Sequence, residues 1–421
     1  MLLSFTVGNF CSIKEPVTLD MQSMGQVSEL KDNVIVSGQN KLLRSTVIYG
    51  ANGSGKSNVI EAMSFCKNYV RDSIRNQEGD KVKDLVPFLL GDEKGEDPSF
   101  FEVEFLIGTS KYRYGFELNR ESIVGEWLYV LPEKKRKERE LFVRDNEIIE
   151  VSKSFKEGKD LEDKTRDNAL FLSVCAQFNG AVSKEVLTFF RNFNVISGIN
   201  DDNYSGYTSS FIENDSNRKL VLDSLNQIGL GIETIVDEEL TEERLPHDLP
   251  EKIKQHLLET KVLFFERSRY DDKGKKCGSV KIPLSGGESA GTQKYFHLMG
   301  PLHDTLTNGK VLVIDELDAR LHPKLTLNII RMFHDPQINN KGAQLIFATH
   351  DTNLLASRQF RRDQIYFTEK NNISATELYS LAEVKVRKDA SFEKDYLIGR
   401  YGAIPFMGGL EFIKQFSDEE M

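Results

Sequence analysis

Gly50-Ala51-Asn52-Gly53-Ser54-Gly55-Lys56-Ser57 fits the pattern GxxxxGK[ST] in full. Before it stands Ser45-Thr46-Val47-Ile48-Tyr49, a run expected for a strand buried on both faces. After it, from Asn58 to Val70, comes a helical pattern. Strand, Gly-rich loop and helix in that order read as a phosphate-binding loop. Glycines let successive N–H groups curl into an anion-binding nest, and the helix N-terminus adds partial positive charge. Lys56 is expected to reach the β- and γ-phosphates of ATP, and Ser57 to offer its hydroxyl to Mg²⁺. Residues 50–58 are the expected nucleotide contacts.

Val311-Leu312-Val313-Ile314-Asp315-Glu316 supplies the second half. Four apolar residues carry a carboxylate to the C-terminal edge of a sheet, where α/β proteins bind ligands. Asp315 is expected in the Mg²⁺ shell, and Glu316 is placed to orient and deprotonate a water. A further Gly-Gly turn opens a helix at Leu284-Ser285-Gly286-Gly287-Glu288-Ser289. It makes a second anion site from Ser285, backbone N–H groups and another helix N-terminus. Near the first loop it would be redundant; far from it, a partner subunit could use it to cover the γ-phosphate.

Working outward, Leu3, Phe5 and Val7 alternate, as do Val17, Leu19 and Met21, giving two short strands. From Phe101 the period is two again: Phe101, Val103, Phe105 and Ile107, then Tyr112, Tyr114, Phe116 and Leu118. With strands near 123–131 and 140–144 this is an antiparallel meander with one buried face. Residues 150–260 read as mostly helical and polar; 237–251 hold seven acids and one Arg and read as a solvated insertion. From 262 onward strands and helices alternate, which implies parallel β. The expected division is 1–150, the N-terminal head with the meander; 151–260, a helical insertion; and 261–421, the C-terminal head. The expected class is α/β.

Composition narrows the function. Fifty-five basic and 65 acidic residues give a formal charge of −10, which excludes a uniformly basic coat and confines any nucleic-acid contact to a local patch. No apolar run approaches the roughly 18 residues of a membrane span. The N-terminus lacks a basic leader followed by an apolar stretch, so no signal peptide is read. Four scattered cysteines without a CxxC pair fit a reducing cytoplasm rather than a disulfide framework or zinc site.

The 284–289 turn resembles the signature sequence of ABC-type ATPases, with Glu288 where transporters carry Gln. That resemblance makes Asp318, in Leu317-Asp318-Ala319-Arg320, the D-loop residue, and His350, after Leu345-Ile346-Phe347-Ala348-Thr349, the switch histidine. The start, Leu3-Ser4-Phe5-Thr6-Val7-Gly8-Asn9-Phe10, and Leu321-His322-Pro323 are similar to chromosome-maintenance and recombination-repair ATPases. Closest in appearance are the compact bacterial ATPases of the overcoming-lysogenisation and RloA-like group. Asp167-Asn168-Ala169-Leu170-Phe171-Leu172-Ser173 and the stretch from Lys394 to Pro405 strengthen that likeness. The fold it implies is a P-loop, ABC-type ATPase head with an antiparallel β-lobe and a helical insertion. Many relatives carry a basic residue after Asn-Phe, where this chain has Cys11. Gln177 is a candidate γ-phosphate sensor or a surface Gln.

The resemblance further implies a homodimer that sandwiches ATP–Mg²⁺, with higher oligomers open, in antiphage defence or abortive infection beside an effector encoded nearby. Overcoming-lysogenisation nucleases carry a nuclease domain after the ATPase; the 71 residues after His350 hold no DxD pair, so none is expected in this sequence. DNA is a possible partner through three basic clusters: 134–137, Arg267 to Lys276, and Arg358, Arg361 and Arg362. Each is more often a solvated face than a DNA contact. A DNA-clamping ATPase is the alternative reading, and a transporter motor a poor third, because nothing resembles its coupling sequence.

Overall fold

A computed structural model describes residues 1–77, 79–91, 97–239, 261–386 and 390–405. In chain order the first elements are β1 (Leu2–Gly8), β2 (Val17–Asp20), β3 (Val34–Ser37), β4 (Asn40–Leu43), β5 (Ser45–Gly50) and α1 (Lys56–Asp72). The meander follows as β6 (Ser99–Ile107), β7 (Ser110–Leu118), β8 (Ile123–Leu131), β9 (Arg139–Asp145) and β10 (Ile148–Val151). Next come α2 (Phe171–Gln177), α3 (Ala181–Arg191), β11 (Phe193–Ser197), α4 (Asp202–Phe211), α5 (Asp215–Gln227) and β12 (Thr234–Glu239). Then come β13 (Lys261–Tyr270), β14 (Lys276–Pro283), α6 (Ala290–Asn308), β15 (Val311–Asp315), α7 (Pro323–His334) and β16 (Gln344–Ala348). The chain closes with α8 (Asn353–Ala356), β17 (Ile365–Lys370), β18 (Thr376–Ser380) and α9 (Phe392–Leu397). Most of the acidic stretch 237–251 lies outside the described residues.

Two compact units form: Met1–Asn192 with Ala348–Met421, and Phe193–Phe347. In the first, a seven-stranded antiparallel sheet runs β10-β9-β8-β7-β6-β1-β2. The period-two expectation holds for Phe101, Val103, Phe105, Tyr114, Phe116 and Leu118, which are fully buried, and breaks at the end of β6, where Leu106 is buried and Ile107 only partly so. They meet α1 through rings. Phe65 stacks on Phe101 at 5.2 Å, Tyr69 lies 5.8 Å from Phe116, and Phe105 stacks on Phe189 of α3 at 4.1 Å. β5 pairs in parallel with β17, which pairs antiparallel with β18. In the second unit, β11, β15 and β16 run parallel, and β12-β13-β14 form an antiparallel ribbon. The α/β class and the antiparallel lobe are therefore as the sequence predicts.

The 167–173 motif does structural work at the start of α2. Glu126 of β8 is fully buried and accepts from Phe171 N (2.6 Å), Leu172 N (3.0 Å) and Tyr114 Oη (2.9 Å). It thus caps a helix whose own flanking residues provide no side-chain cap. Asn168 Nδ2 donates to Gln77 O and Asp80 O, and Arg144 Nη1 to Ala169 O. Glu126→Ala would leave three buried donors unmade, at about 1–3 kcal/mol each. Denaturant unfolding of this variant is expected to show a loss of at least about 3 kcal/mol. A loss below about 1 kcal/mol would mean that water replaces the carboxylate.

Candidate nucleotide site

β5 is buried along its whole length and delivers the chain to Gly50. The loop turns through Gly53 (φ 77°) and Gly55 (φ 107°), conformations that favour glycine, and α1 starts at Lys56. At Gly50 a Cβ would lie 2.4 Å from both Ser54 Oγ and Thr368 Oγ1; at Gly55, 2.1 Å from Thr376 Oγ1. These glycines are therefore also required by close approach of β17 and β18. Lys56 is buried, and its Nζ donates to Gly50 O (2.8 Å) and Ala51 O (3.1 Å), which holds the charge inside the curl of the loop. Asn52, Gly53 and Ser57 are exposed at its rim.

The loop is pinned by residues the motif does not contain. Ser54 Oγ and Thr368 Oγ1 share a hydrogen bond of 2.6 Å. Thr376 Oγ1 donates to Ser54 O (2.9 Å) and meets Ser12 Oγ at 2.7 Å, while Asn58 Nδ2 donates to Ser12 Oγ at 2.5 Å. Sequence reasoning missed Ser12, in the turn after β1, and Thr368 and Thr376, on β17 and β18, because isolated hydroxyls carry no pattern. Cys11, beside Ser12, is half-buried; burial and the nearby Glu61 push its thiol up to about 11, so it stays a neutral thiol. It cannot replace a cation there.

His350 lies in the same unit as this loop. Thr349 N donates to Ile48 O (3.2 Å), and Tyr49 Oη donates to Asp351 O (3.1 Å). These bonds carry the exposed His350 alongside β5, the strand that feeds the loop. Gln177 is exposed at the end of α2.

The remaining expected residues lie in the second unit. Asp315 ends β15, and Glu316 begins the following turn in the left-handed region (φ 53°). Gly198 N donates to Asp315 O at 2.5 Å, and a Cβ on Gly198 would fall 1.9 Å from Glu316 O. Asp315 Oδ1 and Asp318 Oδ1 are buried atoms without a hydrogen-bond partner. Orphaned hard oxygens of this kind suit Mg²⁺, which takes few protein ligands and keeps its waters. Among the described residues no cluster of three or more His, Cys, Asp or Glu forms a fuller metal cage.

The signature stretch is a turn: Ser285 (φ −81°, ψ 126°) and Gly286 (φ 78°, ψ −15°) are non-helical. Ser285, Gly286 and Gly287 are exposed just before α6, whose N-cap Ser289 accepts from Thr292 N at 3.1 Å. Glu288 points inward instead, paired with Arg267 of β13 at 2.9 Å. Leu321-His322-Pro323 is a helix start, with His322 Nδ1 accepting from Lys324 N and Pro323 in the first turn of α7.

The basic clusters separate. Residues 134–137 are exposed in the β8–β9 hairpin. In the second cluster Arg267 and Lys276 are ion-paired with Glu288 and Glu233. In the third, Arg361 is 3% exposed, forked onto Asp363 at 2.9 and 2.7 Å and donating to Val27 O and Glu29 O. Arg361 is therefore neither a solvated face nor a DNA contact; it fastens residues 27–29.

The family model described as "AAA domain, putative AbiEii toxin, Type IV TA system" matches residues 45–356. The chain belongs to that family. The likeness to abortive-infection-associated P-loop ATPases drawn from its motifs is borne out at family level. No curated protein matches the chain. Among solved structures it is similar to the SMC head domain from Thermotoga maritima, at 16% identity over 91% of this chain and 99% of that one, TM-score 0.38. It is also similar to an SMC head bound to the C-winged helix domain of ScpA, at 11% identity over 90% and 97%, TM-score 0.43. A third is cbiO1 from Clostridium perfringens, part of the ABC transporter complex cbiONQ, at 11% identity over 95% and 92%, TM-score 0.32. No helix among the described residues is long and apolar enough to cross a membrane.

The pinned loop makes a specific prediction. Thr376→Val keeps shape but removes the hydroxyl that ties Ser54 and Ser12 together. Losing about 1 kcal/mol of loop ordering should weaken ATP binding about fivefold, measured by equilibrium titration, with the melting temperature little changed. Unaltered affinity would show that the loop holds its shape without β18.

Proposed function

We propose that this family member binds and hydrolyses ATP with Mg²⁺ and forms an ATP-sandwich homodimer. The observation that carries the reading is the phosphate loop, with Lys56 held inside a curl whose glycines admit no side chain at 50 or 55. Residues 50–58 would bind the phosphates of the substrate ATP through backbone N–H groups and the Lys56 ammonium. Ser57 and Asp315 would hold Mg²⁺, which supplies neutralisation of charge on the transferring phosphoryl group. Glu316 would orient a water and take its proton, and His350 would contact the γ-phosphate. Ser285, Gly286, Gly287 and Asp318 would serve the ATP of the partner copy. Glu288, turned onto Arg267, would act through the shape of that turn rather than by contact.

In the cell we read the chain as the regulatory ATPase of a cytoplasmic abortive-infection or antiphage system with a separate effector. The family description, which names an abortive-infection protein and a toxin–antitoxin system, supports that setting. The alternative, a DNA-clamping ATPase, is favoured by the exposed 134–137 loop and by the exposed Arg269, Lys273 and Lys275 about the β13–β14 turn; steeply salt-dependent duplex binding would support it.

Lys56→Ala should abolish tight ATP binding. Glu316→Gln should bind ATP but turn over about 10²- to 10⁴-fold more slowly, the usual worth of a general base. Near wild-type turnover would remove Glu316 from catalysis. Ser285→Arg should bind ATP yet fail to hydrolyse it. Mixing Ser285→Arg with Lys56→Ala chains should restore part of the activity, because one interface then has both good halves. Normal hydrolysis by Ser285→Arg alone would reduce the 284–289 stretch to a plain helix-opening turn. In cells, protection or killing should need both Glu316 and a neighbouring effector gene; nuclease activity of the purified chain would overturn the separate-effector reading.

A further inference from the structure

Within the second unit lies a polar cluster around the buried Lys294 and Tyr204, to which the expected site motifs lend one side chain, that of Arg320. It centres on residues 197–204. β11 runs parallel to β15 with Ser197 opposite Asp315, and Gly198 packs directly on the Asp315–Glu316 peptide. The same stretch of chain then reaches across to α6, the helix that the signature turn opens. Asp201 Oδ2 meets His297 Nδ1 at 2.5 Å, and Asp201 Oδ1 lies 4.0 Å from Arg320 in the turn after β15. Lys294 is 1% exposed; its Nζ donates to Tyr204 Oη and to Ser197 O (3.4 Å). Gly291 completes the stripe, because a Cβ there would stand 3.0 Å from Arg320 O. Positions 291, 294 and 297 fall on one face of α6 at helical spacing.

A buried ammonium is an expensive way to fill space. Burial, helped by the nearby Arg320 and opposed by Asp201, lowers the Lys294 pKa to about 8, and its direct hydrogen-bond partners are a phenol and a carbonyl rather than a carboxylate. A hydrophobic side chain of the same volume would pack at least as well, so stability does not account for it. What the cluster does is join three backbone segments: the first turns of α6, the turn after Asp315, and the loop that walls Asp315 and Glu316.

We propose that Lys294 and Asp201 are positioning residues that make the signature turn and the Asp315–Glu316 edge one mechanical body. The inference rests on the ATP-sandwich reading. In that arrangement a chain's signature turn serves its partner's ATP while its carboxylates serve its own. A strut between them therefore couples the two sites of the dimer. Engagement of Ser285–Gly287 by one nucleotide sets Glu316 for the other, and hydrolysis depends cooperatively on ATP.

The test measures ATP affinity, kcat and the Hill coefficient for wild type, Lys294→Met, Lys294→Arg and Asp201→Asn, with Glu316→Gln as reference. Wild type should be cooperative. Lys294→Met should keep its ATP affinity, lose about tenfold or more in kcat, on the scale of ordinary allosteric coupling, and bring the Hill coefficient to one. Lys294→Arg should recover part of both. Combining Lys294→Met with Asp201→Asn should add little to either alone, as expected of groups acting as a unit. If Lys294→Met does not fold, Asp201→Asn and His297→Gln, whose side chains are partly exposed, carry the same measurement. A non-cooperative wild type, or wild-type kcat and Hill coefficient in the Lys294 and Asp201 variants while Glu316→Gln is dead, overturns the strut alone. Normal turnover in Glu316→Gln overturns the catalytic reading and the strut with it.

Discussion

An anion site built from backbone N–H groups works only if the backbone cannot relax away from it. Everything around residues 50–57 follows from that constraint. A strand buried on both faces fixes where the loop begins, and α1, stacked through Phe65 and Tyr69 onto the meander, fixes where it ends. Between these anchors the loop's own side chains hold it only through Lys56, on the Gly50 and Ala51 carbonyls, and Ser54. The hydroxyls of Thr368 and Thr376 supply the missing restraint, from positions 314 and 322 residues away in the chain. The glycines thus have two tasks. They would expose N–H groups to the phosphates of the proposed nucleotide, and they let β17 and β18 close on the loop from behind.

The carboxylate edge of the second unit solves the same problem with the opposite means. There the important groups are side chains, and what must be fixed is the turn that aims them. Gly198 lies so close to the Asp315–Glu316 peptide that no other residue fits, and its N–H takes the Asp315 carbonyl. Asp315 Oδ1 and Asp318 Oδ1 stay buried without partners, a cost of about 1–3 kcal/mol each that a purely structural turn would avoid by simple substitution. Unmet polar groups at the end of a parallel strand mark a place organised for a ligand rather than for stability.

These facts also explain what could be read from the sequence. Local, repeated or spaced signals were legible: the loop pattern after a β-branched run, the period-two burial from Phe101 to Leu118, and the apolar run before Asp315. The motif at 167–173 was visible as a likeness, but its role was not. That role depends on Glu126, some 45 residues earlier, whose environment no local pattern reveals. Ser12, Thr368, Thr376, Gly198 and Lys294 were silent for the same reason. Each acts through long-range contacts, and a lone hydroxyl, glycine or lysine looks ordinary until the fold brings its partners near. Charge clusters misled in a different way. Arg358, Arg361 and Arg362 read as one patch, yet Arg361 is buried against Asp363 two residues on, while Arg362 reaches Glu29.

Strain gives the last link between the two units' designs. Glu316 sits at φ 53° and Arg320 at φ 61°, both in the left-handed region. A residue with a side chain there gives up stability that glycine would keep, of order 1 kcal/mol or more. At Gly53 and Gly55 the chain avoids that loss, because backbone alone is needed. At 316 it accepts the loss, as the proposed use of the Glu316 carboxylate would require, and Gly198, packed on the turn with its N–H on Asp315 O, holds the strained turn in place. Glycine therefore stands where the backbone is the reagent, and a strained side chain where the side chain is. That division would separate the residues proposed to bind phosphate from those proposed to act on it, in a chain whose composition distinguishes neither.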